Sequence, residues 1–187
     1  MVKKSYSNTP LPAAVIGYKI PARYAPDAYP LDLASNILAG GESSRLYQAL
    51  VYKSQIAVEA AGFGNFTEDP NLFWAFAIMN QGHTADEGEK AVVGVLDNLK
   101  AQPVDAKEFE KAENQEIAGF ILGRGTDEEK AVALENAAVI GKNPELVNTE
   151  LDQFLKVTPA DIQRVAKEYF VSQHATVLFI TPSAPAQ

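Results

Sequence analysis

The sequence predicts a two-layer α+β domain: a mixed or antiparallel sheet of about four to six strands, covered on one face by helices. Three observations carry this. Read by apolar spacing, the chain runs strand, helix pair, strand, strand, helices, strand, which is the split β-α-β-β-α-β plan with extra helices in its second crossover. The run Leu72-Phe-Trp-Ala-Phe-Ala-Ile-Met79 is apolar at every position and bounded by turn residues, as in an inner strand. The following hundred or so residues carry repeated helix-start signals, with apolar stripes behind them.

Taken in order, residues 1–11 read as an N-terminal tail, and Ala13 to Ile20 reads as a strand closed by Pro21. Asp27 to Leu38 places Leu31, Ala34 and Leu38 at helical spacing. Gly40-Gly41 ends that helix, and Ser43 or Ser44 is positioned to cap a second one carrying Leu46 and Leu50. Ile56 to Phe66 reads as a strand in which Gly62 and Gly64 mark a bulge. Asp69-Pro70-Asn71 is a turn before the inner strand. Thr84…Glu87, Asp105…Glu108 and Thr126…Glu129 each put a capping oxygen three residues before a carboxylate. Asn143-Pro144 and Thr158-Pro159 place proline at a first helical position, where its missing N–H is not needed. Val92, Leu96 and Leu99, then Phe109, Ala112 and Phe120, then Leu151, Phe154 and Leu155, then Ile162, Val165 and Tyr169 form the stripes behind these starts. Ala175 to Ile180 is the closing strand. The domain is expected over 12–182, with 183–187 a C-terminal tail.

Composition narrows the function classes. The chain has 187 residues, 47% hydrophobic and 21% charged, with net charge −8. A phosphate-backbone binder needs clustered Lys and Arg, so nucleic acid is not an expected partner. There is no cysteine, hence no disulfide framework, thiolate metal site or cysteine nucleophile. No stretch approaches the roughly 18 apolar residues of a membrane span, so no membrane partner is expected. Met1-Val-Lys-Lys-Ser-Tyr has a charged pair without an apolar core behind it, and so does not read as a secretory signal. The expectation is a bacterial protein, periplasmic or secreted where the full-length precursor carries a signal, and cytoplasmic otherwise.

The stretch Leu38-Ala-Gly-Gly-Glu-Ser-Ser-Arg-Leu-Tyr-Gln-Ala-Leu50, continuing through Val51 to Val58, resembles a signature of the insulinase-type zinc metallopeptidases. These are the pitrilysin, mitochondrial-processing-peptidase-like or inverzincin family, whose C-terminal non-zinc half runs L-G-G-G-x-S-S-R-L-x-x-x-L-R-x-K-x-x-L-A-Y. Gly40, Gly41, Ser43, Ser44, Arg45, Leu46, Leu50, Lys53 and Ala57 fit that pattern, and Ile56 replaces its leucine. Further landmarks are similar: Gly17-Tyr-Lys-Ile-Pro21 with Asp27 and Leu31, Gly82-His83-Thr84, Ala112-Glu-Asn-Gln115, and Val157-Thr-Pro-Ala-Asp-Ile-Gln-Arg-Val-Ala166 before Tyr169-Phe170. The resemblance covers roughly residues 12–182. It implies one of two similar halves that pair across a chamber enclosing a peptide.

The resemblance also implies what is missing. The family zinc site is H-x-x-E-H on a helix with a further glutamate, the first glutamate activating the metal-bound water. The two histidines, His83 and His174, lie far apart and cannot supply it. His83 and Glu87 have ligand-like spacing, but Glu87 reads better as the partner of the Thr84 cap. The substrate-contacting Arg and Tyr of the family fall on Val51 and Val58, which can neither donate a hydrogen bond nor carry charge. Tyr52 sits next door, but one helical residue rotates it about 100° away. These substrate-pair positions are therefore degenerate, no catalytic or metal residue is assigned, and Gly40 to Leu46 is read as structural.

Other readings of the same residues are weaker. Gly40-Gly41-Glu42-Ser43-Ser44 follows a helix and lacks the lysine of a phosphate loop. Ser43 and Ser44 have no His/Asp pair to activate them. Asp127-Glu128-Glu129 suits a helix N-terminus, and Trp74 with Phe73 and Phe76 reads as core. The expected function is the non-zinc half of a zinc metalloendopeptidase, inactive by itself, with zinc in a companion half or subunit and a peptide as substrate. The alternative is an inactive scaffold or assembly subunit related to the same family, as the core subunits of the respiratory bc1 complex are. Homo-oligomerisation is compatible with either.

Overall fold

The computed structural model describes residues 3–7 and 9–182. The proposed C-terminal tail, 183–187, lies outside the described residues. Five strands form one sheet: β1 (Lys3–Ser7), β2 (Ala13–Ile20), β3 (Ala57–Gly64), β4 (Asn71–Met79) and β5 (Ala175–Thr181), in the order β1-β5-β2-β4-β3. The helices are α1 (Ala28–Ala39), α2 (Ala85–Ala101), α3 (Ala106–Leu122), α4 (Asp127–Glu135), α5 (Leu146–Phe154) and α6 (Pro159–Tyr169). Two π-helical segments, Tyr47–Lys53 and Asn136–Ile140, and a 3₁₀ turn, Ser172–His174, complete the chain. The fold is the expected α+β sandwich: β2-α1-β3-β4-helices-β5 is the split plan, and all pairs among these four strands are antiparallel.

Strand β1 corrects the reading of 1–11 as a tail. Lys3–Ser7 pairs parallel with β5, from Lys3 opposite Val177 to Ser7 opposite Thr181. Lys-Lys-Ser-Tyr-Ser has no apolar alternation to announce a strand. It is recruited by the outer edge of β5, whose backbone groups would otherwise lack partners.

One face of the sheet is the core. Ala14, Ile16, Tyr18 and Ile20 of β2, Phe73, Ala75, Ala77 and Met79 of β4, and Val177 of β5 are buried against α1, α2 and α6. From the helices come Leu31, Ala34 and Leu38, then Val92, Leu96 and Leu99, then Ile162, Val165 and Ala166. Phe170 joins the layers, its ring 5.4 Å from Tyr18 and 4.8 Å from Phe73.

The opposite face departs from expectation. Leu72, Trp74, Phe76 and Ile78 alternate with the core residues of β4 and are only half-buried. Phe73 is core, whereas Trp74 and Phe76 belong to this second face. Across the sheet they stand level with apolar neighbours: Phe76 with Val15 and Ala61, Val15 in turn with Leu178, and Trp74 with Phe63, which is 53% exposed. Strand β4 is an inner strand of the sheet, as expected, but no helix of the described residues covers its second face.

The starts of the helices agree closely with the sequence. Thr84, Thr126 and Thr158 each form a reciprocal capping box with Glu87, Glu129 and Asp161, and Asp105 accepts from the N–H groups of Lys107 and Glu108. Pro159 opens α6 as expected. Pro144 does not open α5, which begins at Leu146; Asn143 instead accepts from the Glu145 N–H in the turn before it. The bulge of β3 also moves: the register slips between Ala57 and Glu59, at Val58, rather than at Gly62 or Gly64.

Candidate functional site

The corner from α1 to β3 carries the motif. A Cβ at residue 40 would sit 2.4 Å from the Asn36 carbonyl oxygen, and Gly41 has φ +86°. The first position therefore needs the absence of a side chain, and the second needs the left-handed freedom of glycine. The chain then turns through 42–44 into the π-helical segment, with Leu46 and Leu50 anchored in the core.

Neither serine caps that segment, contrary to expectation. Ser44 is buried and its Oγ has no hydrogen-bond partner, while Ser43 Oγ accepts from Lys111 of α3. What holds the corner is Arg45. Its Nε and Nη2 donate to the two carboxylate oxygens of Glu108 at 2.8 and 2.6 Å, and Nη1 donates to Asn98 Oδ1 at 3.2 Å. A two-pronged guanidinium–carboxylate pair fixes orientation as well as distance. Arg45 therefore ties the corner to α2 and α3, and is not held out toward a ligand.

Val51 and Val58, the positions that the family resemblance sets against the Arg and Tyr, fall in different surroundings. Val51, in the π-helical segment, is half-buried against the core; Val58, at the bulge of edge strand β3, is 47% exposed. Bulges re-aim side chains at sheet edges. Neither valine offers a donor, acceptor or charge to a peptide. Tyr52 is 68% exposed.

The chain's own residues do not fit a zinc site. Among the described residues, no group of three or more His, Cys, Asp or Glu could hold a metal ion. His83 Nδ1 lies 3.4 Å from Glu87 Oε2, but that oxygen also accepts from the Thr84 N–H at 2.7 Å. The cap holds the Glu87 carboxyl below its usual range, with His83 a smaller contributor. His174 is exposed on the 3₁₀ turn. Among Asp127, Glu128 and Glu129, Glu129 completes the Thr126 cap.

One charged cluster was not foreseen. Glu150 of α5 is buried between Arg23, whose Nη2 is 3.7 Å from Oε1, and Arg124, whose Nη2 donates to Oε2 at 3.2 Å. Asp32 of α1 and Glu116 of α3 line the same cavity. These residues are scattered from 23 to 150, and no local spacing in the sequence links them. No helix among the described residues is long and apolar enough to cross a membrane.

Comparison with known proteins places this geometry. The family model described as the Peptidase M16 inactive domain matches residues 2–116. The zinc protease PqqE of Helicobacter pylori is 30% identical over 167 residues, covering 89% of this chain but 37% of that protein. The chain thus spans little more than a third of that curated relative. A solved protease structure from Helicobacter pylori superposes with a TM-score of 0.88 at 27% identity, over 96% of this chain and 43% of that one. The inactive peptidase domain of a candidate zinc protease from Bordetella parapertussis superposes with a TM-score of 0.83 at 29% identity, over 94% of this chain and 95% of that one. The family model spans well over half of the chain, from β1 to within α3, and takes in the glycine corner; the chain belongs to the Peptidase M16 inactive domain family.

Proposed function

We propose that this domain forms one wall of a peptide-enclosing chamber, opposite a companion half that supplies zinc and the general base. The observation that carries this is the second face of the sheet. Trp74, Phe76, Ile78, Val15 and Leu178 make a continuous half-buried apolar surface that no helix among the described residues covers. Surfaces of this kind on a folded domain mark contact with another molecule or domain. An extended peptide offers apolar side chains to such a face, while catalysis needs donors and a metal that Val51, Val58 and their neighbours do not provide.

The test is reconstitution. The chain alone, with zinc added and then removed by chelator dialysis, is expected to retain no stoichiometric metal and to cleave no peptide. With the half carrying H-x-x-E-H, covalently or in trans, peptide cleavage is expected. Changing Trp74→Glu and Phe76→Glu should then raise KM while the domain stays folded. Stoichiometric zinc held by this chain alone, or turnover indifferent to its presence, refutes the reading. An assembly that forms stably with a companion lacking H-x-x-E-H would point to the scaffold role instead.

A further inference from the structure

Beneath α4 lies a cavity of about 610 Å³, walled by α1, α3, α4, α5 and the segment leading from β2 into α1. Its lining is mixed: Tyr29, Phe66 and Phe120 are among its apolar residues, and Asp32, Glu116 and Glu150 among its ionic ones. The two arginines that reach it are already engaged. Both pair with Glu150, and the Arg124 guanidinium also lies 3.3 Å from the Phe120 ring centroid and donates to the Phe120 carbonyl oxygen. Glu150 thus has its counter-charges, whereas Glu116, among the described residues, accepts only from the Asn36 amide at 3.1 Å. Asp32 has no hydrogen-bond or ion-pair partner among the described residues.

The rim has two further peculiarities. Tyr24 holds φ at +66°, a strained backbone for an aromatic residue. Helix α4 roofs the cavity with Glu128, Glu129, Val132 and Ala133, yet buries none of its own residues. Such a roof gains packing only from something placed under it.

We propose that this cavity binds a primary ammonium group on an alkyl chain, its N–H donors taken by Asp32 and Glu116 and its methylenes lying against Tyr29, Phe66 and Phe120. An ammonium carries three donors and a compact charge, which suits two carboxyl groups lacking a cation of their own. The protonation of the two carboxyls shows what that lack costs. Burial pushes Asp32 up to about 7, with Glu116 and Glu150 adding to the rise and Arg23 opposing it. Burial also raises Glu116, against the Asn36 hydrogen bond and Arg23. Glu128 and Glu129 on α4 add to the negative field at the mouth. An ammonium entering below pH 7 must displace the Asp32 proton, so its affinity rises with pH.

Two probes distinguish the sources of this chemistry: 1,5-diaminopentane for a free amine, and Nα-acetyl-lysine amide, which keeps its ε-ammonium, for a lysine within a peptide. Titration calorimetry on the full 187-residue chain is expected to show saturable one-site binding of at least one probe, about tenfold tighter at pH 8 than at pH 6. The probe that binds tells which source is meant. Asp32→Asn and Glu116→Gln, which keep side-chain size, should each weaken binding by about tenfold or more, and bound probe should slow amide exchange in α4. 1-Pentanol should not compete. No saturation by either probe up to about 10 mM, undiminished binding by a folded Asp32→Asn protein, or equal competition by pentanol would overturn the proposal.

Discussion

Helices α4 and α6 begin with the same device and end in opposite circumstances. Thr126 with Glu129 and Thr158 with Asp161 form the same reciprocal capping box. Behind the cap, α6 sends Ile162, Val165 and Ala166 fully into the core and fastens its outer face to α1, where Asp27 accepts from Arg164 at 2.7 Å and Tyr169 at 3.0 Å. Helix α4 buries nothing, and Val132 and Leu134 are about half exposed at 49% and 48%. A cap decides where a helix starts; apolar spacing decides whether anything holds it down. At roughly 1.5–3 kcal/mol for each fully buried aliphatic side chain, the α6 stripe far outweighs its cap.

The sharpest way to break this comparison is a charge on each helix. Val165→Asp places an unpaired carboxylate at a position with no exposure, and is expected to cost several kcal/mol and leave the domain unfolded or insoluble. Val132→Asp should move the urea midpoint by less than about 0.5 kcal/mol in free energy. A Val132→Asp protein as unstable as Val165→Asp would mean that α4 is packed in solution.

Two aspartates, Asp27 just before α1 and Asp32 within it, sharpen it next, through pH. Asp27 faces α6, and the Arg164 hydrogen bond, helped by Tyr169 and opposed by burial, holds its carboxyl below 3.8. Its stabilisation is present above its unfolded value and fades as pH falls through the lower folded one. Asp32 faces the cavity under α4 and rises from 3.8 to about 7. The folded state then keeps a proton that the unfolded chain has lost, so the contribution of Asp32 declines as pH climbs from about 4 to about 7. Asp32→Asn is therefore expected to gain stability over wild type at pH 8 and not at pH 4. Asp27→Asn should lose stability at pH 7, and the loss should vanish toward pH 2. Denaturant melts at these values check both signs.

A smaller effect separates anchored from solvated ion pairs. Arg45→Met leaves Glu108 and Asn98 without their donor at a site where the pair is about 20% exposed, and should cost about 1–2 kcal/mol. Lys130→Met on α4, whose Asp127 partner is fully exposed, should change nothing measurable. The caps come last. Thr158→Ala is expected to lower global stability by about 1 kcal/mol. Thr126→Ala should speed amide exchange in α4 with no shift in the melting midpoint, because that helix opens before the domain does.

These contrasts separate what could be read from the chain alone from what could not. The capping threonines, Pro159, the α2 stripe and the β2-α1-β3-β4-helices-β5 order were legible because each depends on residues a few positions apart, where geometry follows directly from chain connectivity. The Gly40-Gly41 corner was legible for the same reason. Strand β1 was not, since Lys3–Ser7 becomes a strand only by meeting the edge of β5, more than 170 residues away. Ser43 and Ser44 had the right chemistry for a cap, but Lys111 and burial claimed them.

The residues by themselves determined the family scaffold, through the Gly40-Gly41 corner and the landmarks that follow it, and the sequence given contains no H-x-x-E-H. Only the tertiary structure decided which apolar residues are core. Phe73, Trp74 and Phe76 look alike along the strand, but alternate residues of a strand point to opposite sides, and helices cover only one of them. It also decided that Asp32 and Glu116 share a cavity while Arg23 and Arg124 are drawn to Glu150. Charges so far apart in sequence meet only through the packing of four separate elements, and burial, which sets their protonation, belongs to that packing alone.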